Sequence, residues 1–207
     1  MASDKIPLAT VRRLCTYRRF LEKVRQVGKE RTSSMEIGEY TGNPAFKVRK
    51  DLNFLGEVGV VGRGYQVSEL IDHIATNLGL DRARKCVLVG AGSLGTAVIR
   101  FFADLDESYE VVAGFDVDER KVGKSISGVD ILPVSKLRET VKKKGVEVGL
   151  ITVPAANAQE TADLMVKAGI KGLLNFAPVI LDVPEGTVKR DMDFIFEIET
   201  LSYLVGK

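Results

Sequence analysis

Apolar residues recur at helical spacing through the first eighty positions and fall into short runs after that. The switch of period divides the chain. Val11, Leu14, Cys15, Leu21 and Val24 predict a helix over 7–28, with Pro7 suited to its first turn and Gly28 to its stop. Ser33 or Ser34 then caps a short helix through about Tyr40, because Ser33 and Glu36 stand at the spacing of a capping box. Thr41-Gly42-Asn43 reads as a turn. Pro44 opens another helix, with Phe46, Val48, Leu52 and Leu55 at its apolar positions. Between Gly56 and Gly64, glycines punctuate Val58, Val60 and Val61, which predicts a hairpin. A further helix is expected over 69–79. Helices joined by a tight turn and followed by a hairpin describe a winged helix-turn-helix over 1–80.

Beyond Arg84 the pattern becomes alternating. Strands are expected at 85–89, 109–115, 129–132, 147–152 and 172–175, with helices at 93–103, 135–144 and 156–168. Short apolar strands alternating with helices imply a parallel sheet covered on both faces, an α/β doubly wound domain.

A chain of 207 residues has room for these two units but not for a second, equally large catalytic domain. No apolar run reaches the roughly 18–20 residues that cross a bilayer. Met1–Thr10 lacks the pattern of a signal peptide. With only 2 cysteines, the expected compartment is a reducing cytoplasm, with Cys15 and Cys86 as buried structural thiols. The net charge of +2 argues against a nucleic-acid partner until it is mapped. Residues 11–50 hold 11 basic and 4 acidic side chains, a net of +7. That excess falls on the candidate helix-turn-helix, where Lys47, Arg49 and Lys50 cluster on the candidate recognition helix, suited to phosphates and guanine edges. A helical domain used for oligomerisation is the alternative.

The chemistry-bearing motif is Gly90-Ala91-Gly92-Ser93-Leu94-Gly95, which follows a strand and opens a helix. Asp116 ends the next strand 21 residues after Gly95. Gly90 permits the tight turn, Gly92 lets a pyrophosphate approach the backbone, and Gly95 lets the helix pack on the sheet. The helix N-terminus favours phosphate. Asp116 suits the adenosine ribose hydroxyls and repels a 2′-phosphate, so NAD(H) is preferred to NADP(H), a preference that nearby Arg120 and Lys121 weaken. Another adenine nucleotide such as coenzyme A is the alternative ligand. The single histidine, His73, precedes this domain and reads as a structural or surface residue. No acid–base pair or metal-ligand spacing stands out. A DNA-binding module joined to a dinucleotide module without evident chemistry suggests a sensor rather than an enzyme.

The residues resemble the Rex family of redox-sensing transcriptional repressors over essentially the whole chain. The likeness runs through Lys5-Ile6-Pro7, Arg13-Leu14 with Tyr17, and Val48 to Leu52 on to Gly64-Tyr65. It continues through Gly90 to Gly95, Phe115 to Asp118 with Lys121-Val122-Gly123, and Thr152-Val153-Pro154. It closes with Ala168 to Gly172 and Leu174 to Pro178. The resemblance implies a homodimer that binds a palindromic operator when NADH is scarce and leaves it when NADH binds. It implies a Rossmann domain over 84–192 and a C-terminal helix over 193–207 exchanged between subunits, which carries Asp193 and Phe194 towards the other subunit's nicotinamide pocket.

On this reading Arg49 and Lys50 make the major-groove contacts, and Lys47, Ser33, Ser34 and Tyr65 support the phosphates. Phe46, Tyr17 and Arg63 join the DNA face, while Arg13 and Arg19 serve DNA or the interdomain interface. The dinucleotide is held by Gly90, Ala91, Gly92, Ser93, Leu94, Gly95, Asp116, Val117, Thr152, Val153 and Asn175. Phe101, Pro154, Phe176 and Phe194 surround the nicotinamide. Four positions depart from the family pattern. Val60 and Val61 stand where the wing normally carries basic residues. Phe101 stands for a tyrosine whose hydroxyl would reach Asp193, and Cys15 for a residue that is often proline. A small NAD-dependent oxidoreductase and a coenzyme A module remain the competing readings.

Overall fold

The structure, a computed structural model, describes residues 6–56, 58–59, 63–104 and 109–206. The chain divides into two compact units, Met1–Arg82 and Ala83–Lys207.

In the first unit, α1 (Leu8–Gln26) buries Leu14, Tyr17, Leu21 and Val24 along one stripe. The short strand β1 (Arg31–Thr32) leads into α2 (Ser34–Thr41). Ser33 caps α2: its Oγ accepts from the Glu36 N–H while the Glu36 carboxylate accepts from the Ser33 N–H, so the capping box is complete. The turn into α3 (Ala45–Leu52) is tight enough that a Cβ on Gly38 would strike the Asn43 carbonyl oxygen. A single 3-10 turn, Asn53–Leu55, extends α3. Strand β2 (Tyr65–Gln66) is followed by α4 (Val67–Leu78). Ile37, Val48, Leu52, Leu70 and Ile74 close on the α1 stripe as one core. Each such side chain, once buried, stabilises by about 1.5–3 kcal/mol. The hairpin expected over 56–64 is not described as one, because residues 57 and 60–62 lie outside the described residues. The strand that is described, β2, pairs antiparallel with β1, not across the glycines.

The second unit runs β3 (Arg84–Val89), α5 (Ser93–Ala103), β4 (Tyr109–Asp116), β5 (Ser125–Ile126), β6 (Val129–Pro133), α6 (Leu137–Lys144), β7 (Val148–Ile151), α7 (Ala155–Ala168), β8 (Gly172–Asn175), β9 (Val188–Asp191) and α8 (Phe194–Val205). The strands form one seven-stranded sheet in the order β5-β6-β4-β3-β7-β8-β9. All its pairs are parallel except β5 with β6. Alternation along β3 feeds two cores. Val87 and Val89 pack on one face with Phe115, Ile151 and the α7 alanines, and Cys86 and Leu88 on the other with Ile99 and Ile131. The order reverses at β3, between β4 and β7. In a sheet of this kind ligands bind outside the carboxyl ends of the strands at that reversal. Two strands had no sequence signal: β5 has two residues, and β9 is an edge strand with no buried side chain.

Candidate nucleotide cleft and nucleic-acid face

At the carboxyl ends of β3, β4 and β7 lies a cleft of about 330 Å³. Val89, Gly90, Gly92, Asp116, Val117, Lys121, Thr152, Val153 and Pro154 line it, and Asn157, Glu160 and Leu164 of α7 form its outer wall. The three glycines of the motif differ in surroundings as their roles require. Gly90 has φ +102°, and a Cβ there would lie 2.7 Å from the Thr152 carbonyl oxygen. A Cβ on Gly95 would strike the Gly90 carbonyl oxygen, so the close packing of α5 on the turn depends on glycine. A Cβ on Gly92 would meet nothing within 4 Å. Gly92 is the N-cap of α5 and supplies no side-chain cap, which leaves the first turn's N–H groups facing open space. Thr152 Oγ1 lies 2.8 Å from the Gly90 carbonyl oxygen and ties the β7 end to the turn.

Asp116 is 7% exposed at the rim of this space. Its Oδ1 accepts from the Asp118 N–H at 2.9 Å, and its Oδ2 from Lys121 Nζ at 2.9 Å. Burial pushes its carboxyl up, but the Asp118 N–H, the Lys121 ammonium and the Ala91 N–H together more than offset burial and hold it below the ordinary carboxylate value. The acid is therefore ionised at neutral pH and lines the cleft. The geometry fits a dinucleotide: phosphates over Gly92 and the α5 N-terminus, adenosine towards Asp116.

The cleft does not gather every residue expected there. Phe101 sits at the end of α5, 61% exposed, outside the residues that line the cleft. Ser93 and Leu94 are exposed and Ala91 is buried. Asn175 requires correction: fully buried, its amide donates to the Ala177 and Val179 carbonyls and to Asp191 Oδ1, while its oxygen accepts from the Ala177 N–H. These bonds hold its own loop and β9, so the described contacts of Asn175 are structural. Phe176 itself is half-buried against the sheet. Phe194 opens α8, where no residue is buried.

In the first unit, Phe46, Arg49 and Lys50 of α3 are exposed, Lys47 is half-buried, and Arg49 Nη1 donates to Ser34 Oγ at 2.9 Å. The link brings α2's first turn and the basic helix together, while Ser33 is committed to its cap. Arg19 and Arg63 are exposed, and Tyr65 is half-buried. Two residues expected on the DNA face, Tyr17 and Arg13, are tied to Asp51. Tyr17 has no exposed surface, and its hydroxyl donates to Asp51 Oδ2 at 2.9 Å. Arg13 Nη2 donates to Asp51 Oδ1 at 2.7 Å. Asp51, 1% exposed, is the residue that the sequence reading missed. The available signal was its place on α3 three residues after Val48, on the apolar face. Val60 and Val61 lie outside the described residues. Cys86 is buried and its thiol is pushed up to about 11, whereas Cys15 is only half-buried. His73 is exposed. Among the described residues no helix is long and apolar enough to cross a membrane, and no three His, Cys, Asp or Glu side chains gather as a metal site.

Comparison with known proteins accounts for both units. A family described as "Putative DNA-binding protein N-terminus" matches residues 5–53, and one described as "CoA binding domain" matches residues 81–179. The redox-sensing transcriptional repressor Rex of Carboxydothermus hydrogenoformans is 43% identical over 207 residues, covering 100% of both chains. The chain belongs to the Rex family. Rex of Desulforamulus reducens is 41% identical over 203 residues, 98% of this chain and 97% of that one. Among solved Rex structures, RSP with β-NAD⁺ and operator DNA is 33% identical, with a TM-score of 0.90 over 97% of this chain and 92% of that one. RSP with β-NADH is 32% identical, with a TM-score of 0.85 over 97% and 94%. Rex membership bears out the resemblance read in the sequence. It also places the chain among transcriptional repressors, not enzymes, which sets the oxidoreductase reading aside. The architecture is that of its relatives, a DNA-binding unit followed by a Rossmann-like unit.

Proposed function

We propose that this Rex-family chain represses transcription by binding operator DNA when the NADH/NAD⁺ ratio is low and is released by NADH. The observation that carries this reading is the open face of Gly92 beside the ionised Asp116, in one chain with the exposed Arg49 and Lys50 of α3. The dinucleotide supplies a nicotinamide ring whose redox state is the signal. The chain's residues do the rest. Gly90, Gly92 and Gly95 shape the phosphate cradle, Asp116 holds the adenosine ribose, and Thr152, Val153 and Pro154 form the floor towards the nicotinamide.

The working form is a cytoplasmic homodimer on a palindromic operator, with domains at 1–80, 84–192 and 193–207. Two half-sites at fixed spacing are read together, so a change in the angle between protomers abolishes simultaneous engagement. NADH acts only through differential affinity for the two arrangements, and DNA must weaken NADH by the factor by which NADH weakens DNA. Phe101 lacks the hydroxyl with which a tyrosine would reach Asp193, so the NADH-bound arrangement is held less firmly than in relatives with tyrosine.

A mobility-shift titration on candidate promoters, with and without NADH, tests the proposal. Retarded DNA that NADH releases supports it, and a complex indifferent to NADH overturns it. Asp116→Ala is expected to leave repression on. Normal release by NADH in that variant removes Asp116 from the site.

A further inference from the structure

We propose that Lys121 sets how strongly the cleft discriminates against a 2′-phosphorylated dinucleotide: it neutralises Asp116, and its ammonium is a latent 2′-phosphate site that the Asp116 carboxylate keeps occupied. The proposal rests on the reading of the cleft as a site for a nicotinamide adenine dinucleotide.

The turn after β4 places the cation. The N–H groups of Lys121 and Val122 both donate to the Asp118 carbonyl, at 2.9 and 3.2 Å, which swings Lys121 back under the end of the strand. Two cations follow Asp116, and they divide. Arg120 gives Nε and Nη2 to the Asp118 carboxylate, each at 2.9 Å, with its side chain 88% exposed. Lys121 turns inward, lines the cleft, and meets Asp116 Oδ2 at 2.9 Å with its side chain 37% exposed.

Asp116 Oδ1 thus accepts from the Asp118 N–H and Oδ2 from Lys121, the Ala91 N–H also bonds the carboxylate, and a carboxylate with about four acceptor positions keeps room for a ribose hydroxyl. A bare carboxylate at this place would repel a 2′-phosphate strongly. A carboxylate in contact with an ammonium presents almost no net charge, so the repulsion falls. Removal of the acid alone would leave the ammonium free to pair with phosphate at the same spot. The acid and the base therefore act on the same quantity in opposite directions, and their effects are coupled.

A four-protein cycle tests this: wild type, Asp116→Asn, Lys121→Gln and the double variant, each titrated with NADH and with NADPH. The chain has no tryptophan, so calorimetry or the cofactor's own fluorescence gives the readout. Lys121→Gln is expected to widen the preference for NADH about tenfold, since it uncovers the carboxylate. Asp116→Asn, which keeps the side chain's shape, is expected to shift the preference about tenfold or more towards NADPH. The double variant is expected to lose that gain. An unchanged NADH/NADPH ratio in Lys121→Gln, or a gain in Asp116→Asn that survives removal of Lys121, overturns the proposal. Lys121→Gln decides alone if the Asp116 variants do not fold. Wild type that takes neither dinucleotide instead overturns the reading of the cleft, and this proposal with it.

Discussion

Arg13 of α1 and Asp51 of α3 form a two-pronged ion pair inside the first unit, with Arg13 Nη2 2.7 Å from Asp51 Oδ1 and Nε on Oδ2. Tyr17 and Thr10 add hydroxyl donors to the same carboxylate. The network fixes the basic helix against the longest helix of the unit, so it sets the direction in which Arg49 and Lys50 project. Asp51→Ala leaves a partly buried guanidinium unpaired and is expected to destabilise this unit by about 3–5 kcal/mol. Operator affinity falls with it, although Asp51 itself meets no DNA. Circular dichroism melting of the full chain, set beside a mobility shift, checks both effects.

The same carboxylate gives the unit a pH dependence. Burial pushes the Asp51 carboxyl up, but Arg13, Tyr17 and Thr10 outweigh burial and hold it below the usual range. A folded-state value below the unfolded one means that the contribution to stability is complete above the ordinary carboxylate value. It is lost as pH falls through the lowered value. Acid titration of wild type and Asp51→Asn is expected to show a stability loss below the ordinary range that the variant lacks.

Gly92 and Gly95 separate binding from folding. Gly92→Ala enters open space, so stability changes by no more than about 1 kcal/mol, while NADH affinity drops about tenfold or more because the methyl group takes the phosphates' place. Gly95→Ala drives a Cβ into the Gly90 carbonyl oxygen and is expected to cost about 1–3 kcal/mol of stability, with binding lost as a consequence. Melting curves and NADH titrations of the two variants tell these outcomes apart.

On α3 the basic residues divide by partner. Arg49 is held by Ser34 and projects from the helix, so Arg49→Ala is expected to cost about 1–3 kcal/mol in operator binding at fixed salt, with NADH binding intact. Lys47→Ala, as a phosphate contact, should weaken all DNA sequences about equally and lower the salt slope by about 1. Titrations at several salt concentrations on operator and random DNA distinguish the two.

Local chemistry was legible in the sequence. The capping box of Ser33 and Glu36 needs only four consecutive residues, and the glycine fingerprint with Asp116 needs only one strand–helix–strand unit, so both read directly. What depends on distant pairing did not read. Tyr17 looked like a DNA contact because its partner, Asp51, lies 34 positions away. Asn175 looked like a ligand contact because Asp191, 16 positions on, belongs to an edge strand without apolar alternation. In both cases a buried polar side chain was claimed by a partner distant in sequence, which no periodicity reveals.

The helix α8 carries the last prediction. Phe194, Phe196, Ile198, Leu201, Tyr203, Leu204 and Val205 are each 54–78% exposed, and none of the helix's residues is buried. Asp193 caps its start, accepting from the Ile195 and Phe196 N–H groups, so the helix is well formed before anything covers it. So many apolar side chains on one short helix exceed what a soluble monomer leaves open, and a second copy of the chain is the proposed cover. Phe196→Asp with Leu201→Asp should convert the proposed dimer into a monomer in sedimentation experiments. The first unit of that monomer keeps its fold, yet the chain loses most operator affinity, because one half-site alone is engaged. A variant that remains dimeric would place the subunit contact elsewhere than α8.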